Sequence, residues 1–306
     1  MKHFDNSTPP FKFEKGGNSV WHHPFMQYLE DEDILRRYMT EKYPRVQDEF
    51  LELYPQWINE SKLNSVSGLE NFKHKAISIG CTQALDWFHL YAAQNGRTLK
   101  LFKGEYPYNR DIGIFAYSNQ MIEDYTHLHK DDAVILSYPF SGTGTKHEQY
   151  EEIMERCNEF DIPVLLDCAW LGSAKNQHID VNHKCIYGVA FSLTKSLSCG
   201  NWRTGMCFIN DDRCNMVLCT EWEHQVHLNT WIGYNLMQKF TTDSLQNVYG
   251  KYQQKICRDY KLMPTDTVHI CHSYDSEWKD YHRDFSDYYR VNIRKPLQHY
   301  RKNKVE

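Results

Sequence analysis

An α/β architecture, three layers around a mainly parallel sheet with a small α+β segment following it, is the fold class this sequence predicts. Two observations carry it. Between residues 76 and 209, short apolar runs alternate with segments of helical periodicity, the pattern of strands buried on both faces and joined by crossover helices. One such run, Ile162-Pro163-Val164-Leu165-Leu166, ends directly on Asp167, and polar residues recur just beyond the others. In sheets of this kind ligands collect at the strand ends.

The elements follow in order. Residues 1 to about 30, with Pro9-Pro10 and Gly16-Gly17, read as an irregular arm. From Asp31 to Leu53 the apolar residues Ile34, Leu35, Tyr38, Phe50 and Leu53 recur among charges and predict a helix. Tyr54-Pro55 closes it, and a weaker helical stretch leads to a strand at Ala76-Ile77-Ser78-Ile79. Gly80 ends that strand, and Gln83 to Gln94 form an apolar-faced helix. Strands are expected at residues 98–102, 133–136, 164–167, 186–191 and 206–209, with a glutamate-rich helix over 147–160. Residues 213 to about 259 read as helical throughout. Short strands at 268–270 and 288–294 follow, and the basic tail from Lys295 is expected to fray. The segments group as an arm and helix (1–53), a large α/β domain (54–211) and a small C-terminal domain (212–306).

Composition narrows the functional classes. A formal charge of −5 gives no basis for nucleic-acid binding. The ten cysteines form no CxxC pair, which points to a reduced compartment and away from a zinc site or a disulfide framework. His269, Cys271 and His272 lie close together but would alternate faces of a strand, so no metal site is expected there. No segment has the length and apolar character of a signal peptide or a membrane span, and the cytoplasm is the expected location.

The chemistry concentrates around Lys195, within Phe191-Ser192-Leu193-Thr194-Lys195-Ser196-Leu197-Ser198, with Arg203 eight positions on. A guanidinium and hydroxyls suit a phosphate dianion, and a lysine amine can reach a carbonyl carbon. Gly80-Cys81-Thr82-Gln83-Ala84 opens a helix after a strand, where backbone N–H groups favour an anion. Together with Asp167 these residues suit pyridoxal 5'-phosphate: the lysine as Schiff-base partner, the acid holding the pyridinium proton.

Six segments in this order resemble the fold type I enzymes that use that cofactor, specifically the aminotransferase class I and II family. The likeness covers roughly residues 54 to 209 and is faint beyond. Ser192, Lys195 and Arg203 match the family's S-x-x-K and its following arginine; Asp167 matches the acid of D-x-A-Y. The resemblance implies catalysis by Lys195 and Asp167, and a phosphate cup from Cys81, Thr82, Gln83, Ser192 and Arg203. Tyr106, with Tyr108 as competitor, would stack on the ring. Ser141 and Trp170 stand where the family has an asparagine and a tyrosine on the cofactor's 3'-oxygen. Tyr54 would reach a neighbouring subunit's phosphate, which implies a homodimer, and Arg290 or Arg294 would clamp the substrate carboxylate. The implied activity moves an amino group between an amino acid and a keto acid. A decarboxylase, lyase or cyclase of the same fold, and a non-catalytic cofactor-binding protein, are the alternatives.

Overall fold

The computed structural model describes residues 9–41, 45–116, 119–283 and 286–304. Three helices open it: α1 (His23–Asp31), α2 (Ile34–Thr40) and α3 (Gln47–Asn59). Then come β1 (Asn64–Ser67), β2 (His74–Ser78), α4 (Cys81–Gln94), β3 (Thr98–Phe102), α5 (Pro107–Ala116), β4 (Asn119–Ile122) and β5 (Asp132–Ser137). The middle continues with α6 (Tyr150–Glu159), β6 (Val164–Asp167), β7 (Gln177–Asp180), β8 (Ile186–Ser192), the one-turn α7 (Leu193–Ser196) and β9 (Gly205–Ile209). The last part holds α8 (Asn215–Glu221), α9 (His227–Lys239), α10 (Ser244–Tyr260), β10 (Met263–Pro264), β11 (Ile270–Ser273), β12 (Tyr289–Asn292) and α11 (Arg294–Lys302).

The main sheet has seven strands in the order β2-β9-β8-β6-β5-β3-β4. Only β9 runs against its neighbours, pairing antiparallel with both β2 and β8. Alternate residues serve opposite faces. Ala133, Ile135 and Leu165 pack with Trp87 and Phe88 of α4 and Met216 of α8. Val134, Leu136, Val164 and Leu166 join Phe50, Ile153 and Ile232 of α3, α6 and α9 on the other side. Each of the buried valine, leucine and isoleucine side chains contributes about 1.5–3 kcal/mol, so the two covered faces account for the continuous apolar runs. A separate antiparallel sheet, β10-β11-β12, lies after them, and Glu14 of the arm bridges antiparallel to Asn292 of β12.

Several expected elements differ. The helix read over residues 31–53 is interrupted at Asp33, whose φ of 51° is left-handed; its residues 42–44 lie outside the described ones. Tyr54-Pro55 does not end a helix. The α3 helix runs through Pro55 to Asn59, because Phe50, Tyr54, Trp57 and Ile58 are all buried and hold the turn that the proline weakens. The stretch expected as one helical run after residue 213 is three helices. Its first break contains Glu223 at φ 56°. Beside the second, the Asp243 carboxylate accepts from the Ser61 hydroxyl and the Lys62 N–H. The tail from Lys295 is not frayed but helical, with Leu297 and Tyr300 buried. The short strands β1, β4 and β7 and the helix α5 were not foreseen; β1 and β7 pair only with each other.

Candidate active site

Parallel strands align their carboxyl ends, so the turns after β2, β5, β6 and β8 lie along one edge of the sheet. A cavity of about 270 Å³ opens there. Lys195, Asp167, Cys81, Thr82, Ser192 and Arg203 line it from one side. Tyr106, Ser141, Trp170 and Arg290 line the rest. Ten side chains picked from sequence thus share one hollow.

Lys195 stands on α7, whose first turn is capped by the Ser192 hydroxyl accepting the Thr194 N–H at 3.2 Å. Its Nζ donates to Oδ1 of Asn18 at 3.1 Å. Burial, and then the charge of Arg203, push the Lys195 amine below its ordinary range, while Asp167 pulls it back. Asp167, at the tip of β6, accepts the Ala169 N–H at 3.0 Å. Its carboxyl is raised by burial and lowered by Cys81, that N–H and the Lys195 charge. A cation placed against it would meet a carboxylate ready to ionise.

The opposite end is built for an anion. Arg203 donates from Nη2 to the Thr82 hydroxyl at 2.7 Å and from Nε to the Ile79 carbonyl at 3.2 Å. Thr82 lies in the first turn of α4, where unpaired N–H groups and the helix dipole favour negative charge. The Thr194 hydroxyl is buried there without a hydrogen-bond partner. Gly80, at φ 79°, keeps the space open: a Cβ on it would lie 3.0 Å from Ser192 Oγ and 3.4 Å from Arg203 Nη2. An unsatisfied hydroxyl, a guanidinium and a helix start around a hollow that only glycine leaves clear fit a phosphate dianion.

Tyr106 lies at the rim, 43% exposed, and stacks on Tyr108 at 5.9 Å. The Tyr108 hydroxyl is turned to Asp86, so Tyr106 is the one that faces the cavity. On the far wall Arg290 is buried, donating to the Ser141 and Lys15 carbonyls. Its guanidinium lies 5.8 Å from the Trp170 ring, and its Nε has no hydrogen-bond partner. Trp170 is held in turn by His269, edge-on at 5.3 Å, and by Gly17, where a Cβ would come within 2.7 Å of the indole.

Three expected residues lie elsewhere. Tyr54 is 1% exposed, packed among Phe50, Trp57 and Phe191, so its hydroxyl cannot reach a neighbouring subunit. Gln83 turns its side-chain oxygen back to accept the Ile79 N–H at 2.9 Å and does not line the cavity. Arg294 forms an ion pair with Glu14 of the arm and is a latch, not part of the lining. His269, Cys271 and His272 diverge as strand neighbours must: Cys271 faces Cys257, and His272 packs on Tyr288.

Sequence reasoning missed Glu105, Ser137, Asn18, Lys15 and Arg283. Glu105, buried behind Tyr106, accepts the Ser137 hydroxyl at 2.5 Å and the N–H groups of Ser137 and Tyr106 at 2.8 and 2.7 Å. The Ser137 hydroxyl accepts the Ser141 N–H at 2.8 Å. The position of Ser137 directly after the apolar run Ala133-Val134-Ile135-Leu136 was a usable signal. Nothing local marks Lys15 or Asn18, whose segment is held at the cavity by Asn292 Nδ2, which donates to the Gly16 and Asn18 carbonyls at 2.7 and 2.9 Å.

This fold and donor set define a fold type I pyridoxal phosphate enzyme. The chain belongs to the aminotransferase class I and II family, whose model matches residues 92–247, just over half of it. The cofactor is pyridoxal 5'-phosphate. Among solved structures the chain is similar to an aminotransferase from Mycobacterium tuberculosis (TM-score 0.66, 13% identity, 94% of this chain and 89% of that one). It is also similar to an aspartate aminotransferase from Thermus thermophilus with maleate (TM-score 0.66, 12% identity, 94% and 88%). A third likeness is to a PLP-bound C-S lyase from Staphylococcus hominis (TM-score 0.64, 13% identity, 89% and 86%). At such identities these likenesses speak for the fold alone. No curated protein matches the sequence.

Proposed function

We propose that this chain is an aminotransferase, moving an amino group from an amino acid to a keto acid in two half-reactions, with Lys195 as the catalytic base. The observation that carries the reading is one cavity shared by the buried Lys195 amine, the Asp167 carboxyl and the Arg203 guanidinium. When bound, the cofactor supplies an electron-withdrawing ring that acidifies the substrate's α-C–H. Asp167 would hold the proton on the pyridine nitrogen. Arg203, Thr82, Ser192 and the N–H groups of Cys81 and its neighbours would hold the phosphate, and Tyr106 would cover the ring and exclude water. Lys195, with the proton affinity of its amine lowered by burial and Arg203, is suited to take the Cα proton and return one to the cofactor's C4'. Arg290, buried and with a free Nε, suits the substrate α-carboxylate. Trp170 sits against Arg290 instead of offering a phenol, so we assign it to orienting that guanidinium.

A homodimer is part of the proposal, supported by the exposed Ile79 and Val226, which share a hollow with Arg203. The ten free cysteines support a reducing compartment, the cytoplasm. Among the described residues no helix is long and apolar enough to cross a membrane. The decisive measurement is a single half-reaction with a panel of amino acids. Transamination releases one keto acid per site without ammonia, and Lys195→Ala should slow it at least a thousandfold, roughly the scale of a lost general base. Ammonia or carbon dioxide in place of that keto acid would replace this reading with a lyase or decarboxylase.

A further inference from the structure

The Lys195 amine has one hydrogen-bond partner among the described residues, and it comes from the arm: Nζ donates to Asn18 Oδ1 at 3.1 Å. No other hydrogen bond among those residues uses the Asn18 side chain. The arm itself is seated by its main chain. Glu14 and Asn292 exchange backbone hydrogen bonds at 3.0 and 2.8 Å, the Lys15 carbonyl accepts from Arg290, and the Gly16 and Asn18 carbonyls accept from the Asn292 amide. The Asn18 side chain is therefore free of any part in holding the arm down.

A second contact fixes the arm against the lysine's own segment. The Ser198 hydroxyl, three residues after Lys195, donates to the Val20 carbonyl at 3.3 Å and accepts the His22 N–H at 3.0 Å. The two stretches thus meet at Asn18–Lys195 and again at Val20–Ser198, so the spacing of amide and amine is held by more than the flexible lysine stem. Other side chains of the cavity leave the role open. The Trp170 indole can only donate, and it sits against Arg290. Ser141 gives its N–H to Ser137 and its carbonyl to Arg290. Arg203, Asp167, Arg294, Cys81 and His269 face Lys195 from other elements and set its electrostatic surroundings. Asn18 is neutral, so it adds direction without adding charge.

We propose that Asn18 is the positioning residue of the catalytic base: its amide oxygen holds one N–H of Lys195, turns the lone pair into the cavity and accepts from the ammonium that forms. The inference rests on Lys195 being that base. In the step concerned, the lone pair takes the α-proton, the Cα–H bond breaks with its electron pair left on carbon, and the nitrogen becomes an ammonium. A carbonyl oxygen already in place stabilises that new charge without having to reorganise.

The first test needs neither cofactor nor turnover. Only a neutral amine is acylated, so trace labelling of the full-length apoprotein with acetic anhydride across pH, read on the peptide holding Lys195, gives the midpoint of its titration. Asn18→Asp should raise that midpoint by about one unit, and Asn18→Ala should lower it by about half a unit. Asn18 is exposed, and both variants keep the main-chain seat of the arm. In the half-reaction with an amino acid, Asn18→Ala should be about tenfold slower with substrate affinity within about threefold of wild type. Asn18→Asp keeps an acceptor in place and should recover most of the rate above its raised midpoint. Midpoints unmoved in both variants, or equal rate losses in the two, overturn the proposal. Borohydride reduction of the wild-type holoenzyme separates the underlying reading: cofactor fixed to a residue other than Lys195 removes both. Shifted midpoints with no keto acid released would strike amino transfer and leave Asn18 in its role.

Discussion

Glu105 and Asp167 are both buried carboxyls past strand ends, and their neighbours give them different duties. Asp167 faces a cavity and feels the Lys195 charge; Glu105 is bonded to Ser137 and Tyr106 and meets the charge of Asp167, with no cation among its perturbing groups. Burial pushes Glu105 up to about 7, and its three donors pull it back only in part. An unfolded chain loses that proton near 4.5. Between these values the native state holds a proton that the unfolded state has released, so stability falls as pH rises through the window. Glu105→Gln should remove this dependence. Wild type is expected to lose on the order of 2–3 kcal/mol relative to the variant between pH 4.5 and 7.5. Urea unfolding at both ends of that range measures it, and parallel behaviour of the two proteins would reject the assignment. Because Glu105 holds both the Tyr106 N–H and Ser137, the same substitution should also loosen the rim of the site.

Among the elements, Gly80 after β2 and Gly205 at the start of β9 separate cofactor holding from folding. Gly80→Ala puts a methyl against Ser192 and Arg203 at a φ of 79°, while the main sheet stays as it is. It should weaken cofactor binding tenfold or more and shift the unfolding midpoint little, read by titrating the apoprotein and by melting. Gly205→Ala places a Cβ 2.2 Å from the Phe191 carbonyl and 3.1 Å from the Gly80 Cα, inside the β8–β9 ladder. That variant should lose folded protein, with more than about 2 kcal/mol of stability gone. The sheet strands and the cup were legible because both leave strong local marks: unbroken apolar runs for strands with two covered faces, and Gly-x-Thr before a helix. What was illegible depends on distant partners. Asn64–Ser67 and Gln177–Asp180 each carry one apolar residue among polar ones and alternate in burial, and each is a strand because the other lies beside it. Pro55 stays helical through contacts of α3 with α9, nearly two hundred positions along. Arg294 could not be separated from Arg290 by spacing, since Glu14 decides between them.

At the scale of the whole molecule, the exposed apolar residues near Arg203 mark one side of the site. Ile79 is 46% exposed and Val226 50%, and both share a hollow with Arg203. A second copy seated there would shield Ile79, whose carbonyl holds the Arg203 Nε. Sedimentation should therefore give about twice 36.5 kDa for the holoprotein. Val226→Asp should shift the species toward monomer and weaken cofactor affinity several-fold through Arg203. A monomer in wild type, or a monomeric variant with unchanged affinity, would detach the dimer from the site.

The roof of the cavity is made by residues 15–18, and their seat is Asn292, about 275 positions further along the chain. During synthesis, the lysine, the acid and the arginine of the cup are thus all available well before the seat emerges from the ribosome. A nascent chain can assemble the floor of this cavity early, yet residues 15–18 must wait for their seat until Asn292 has been added.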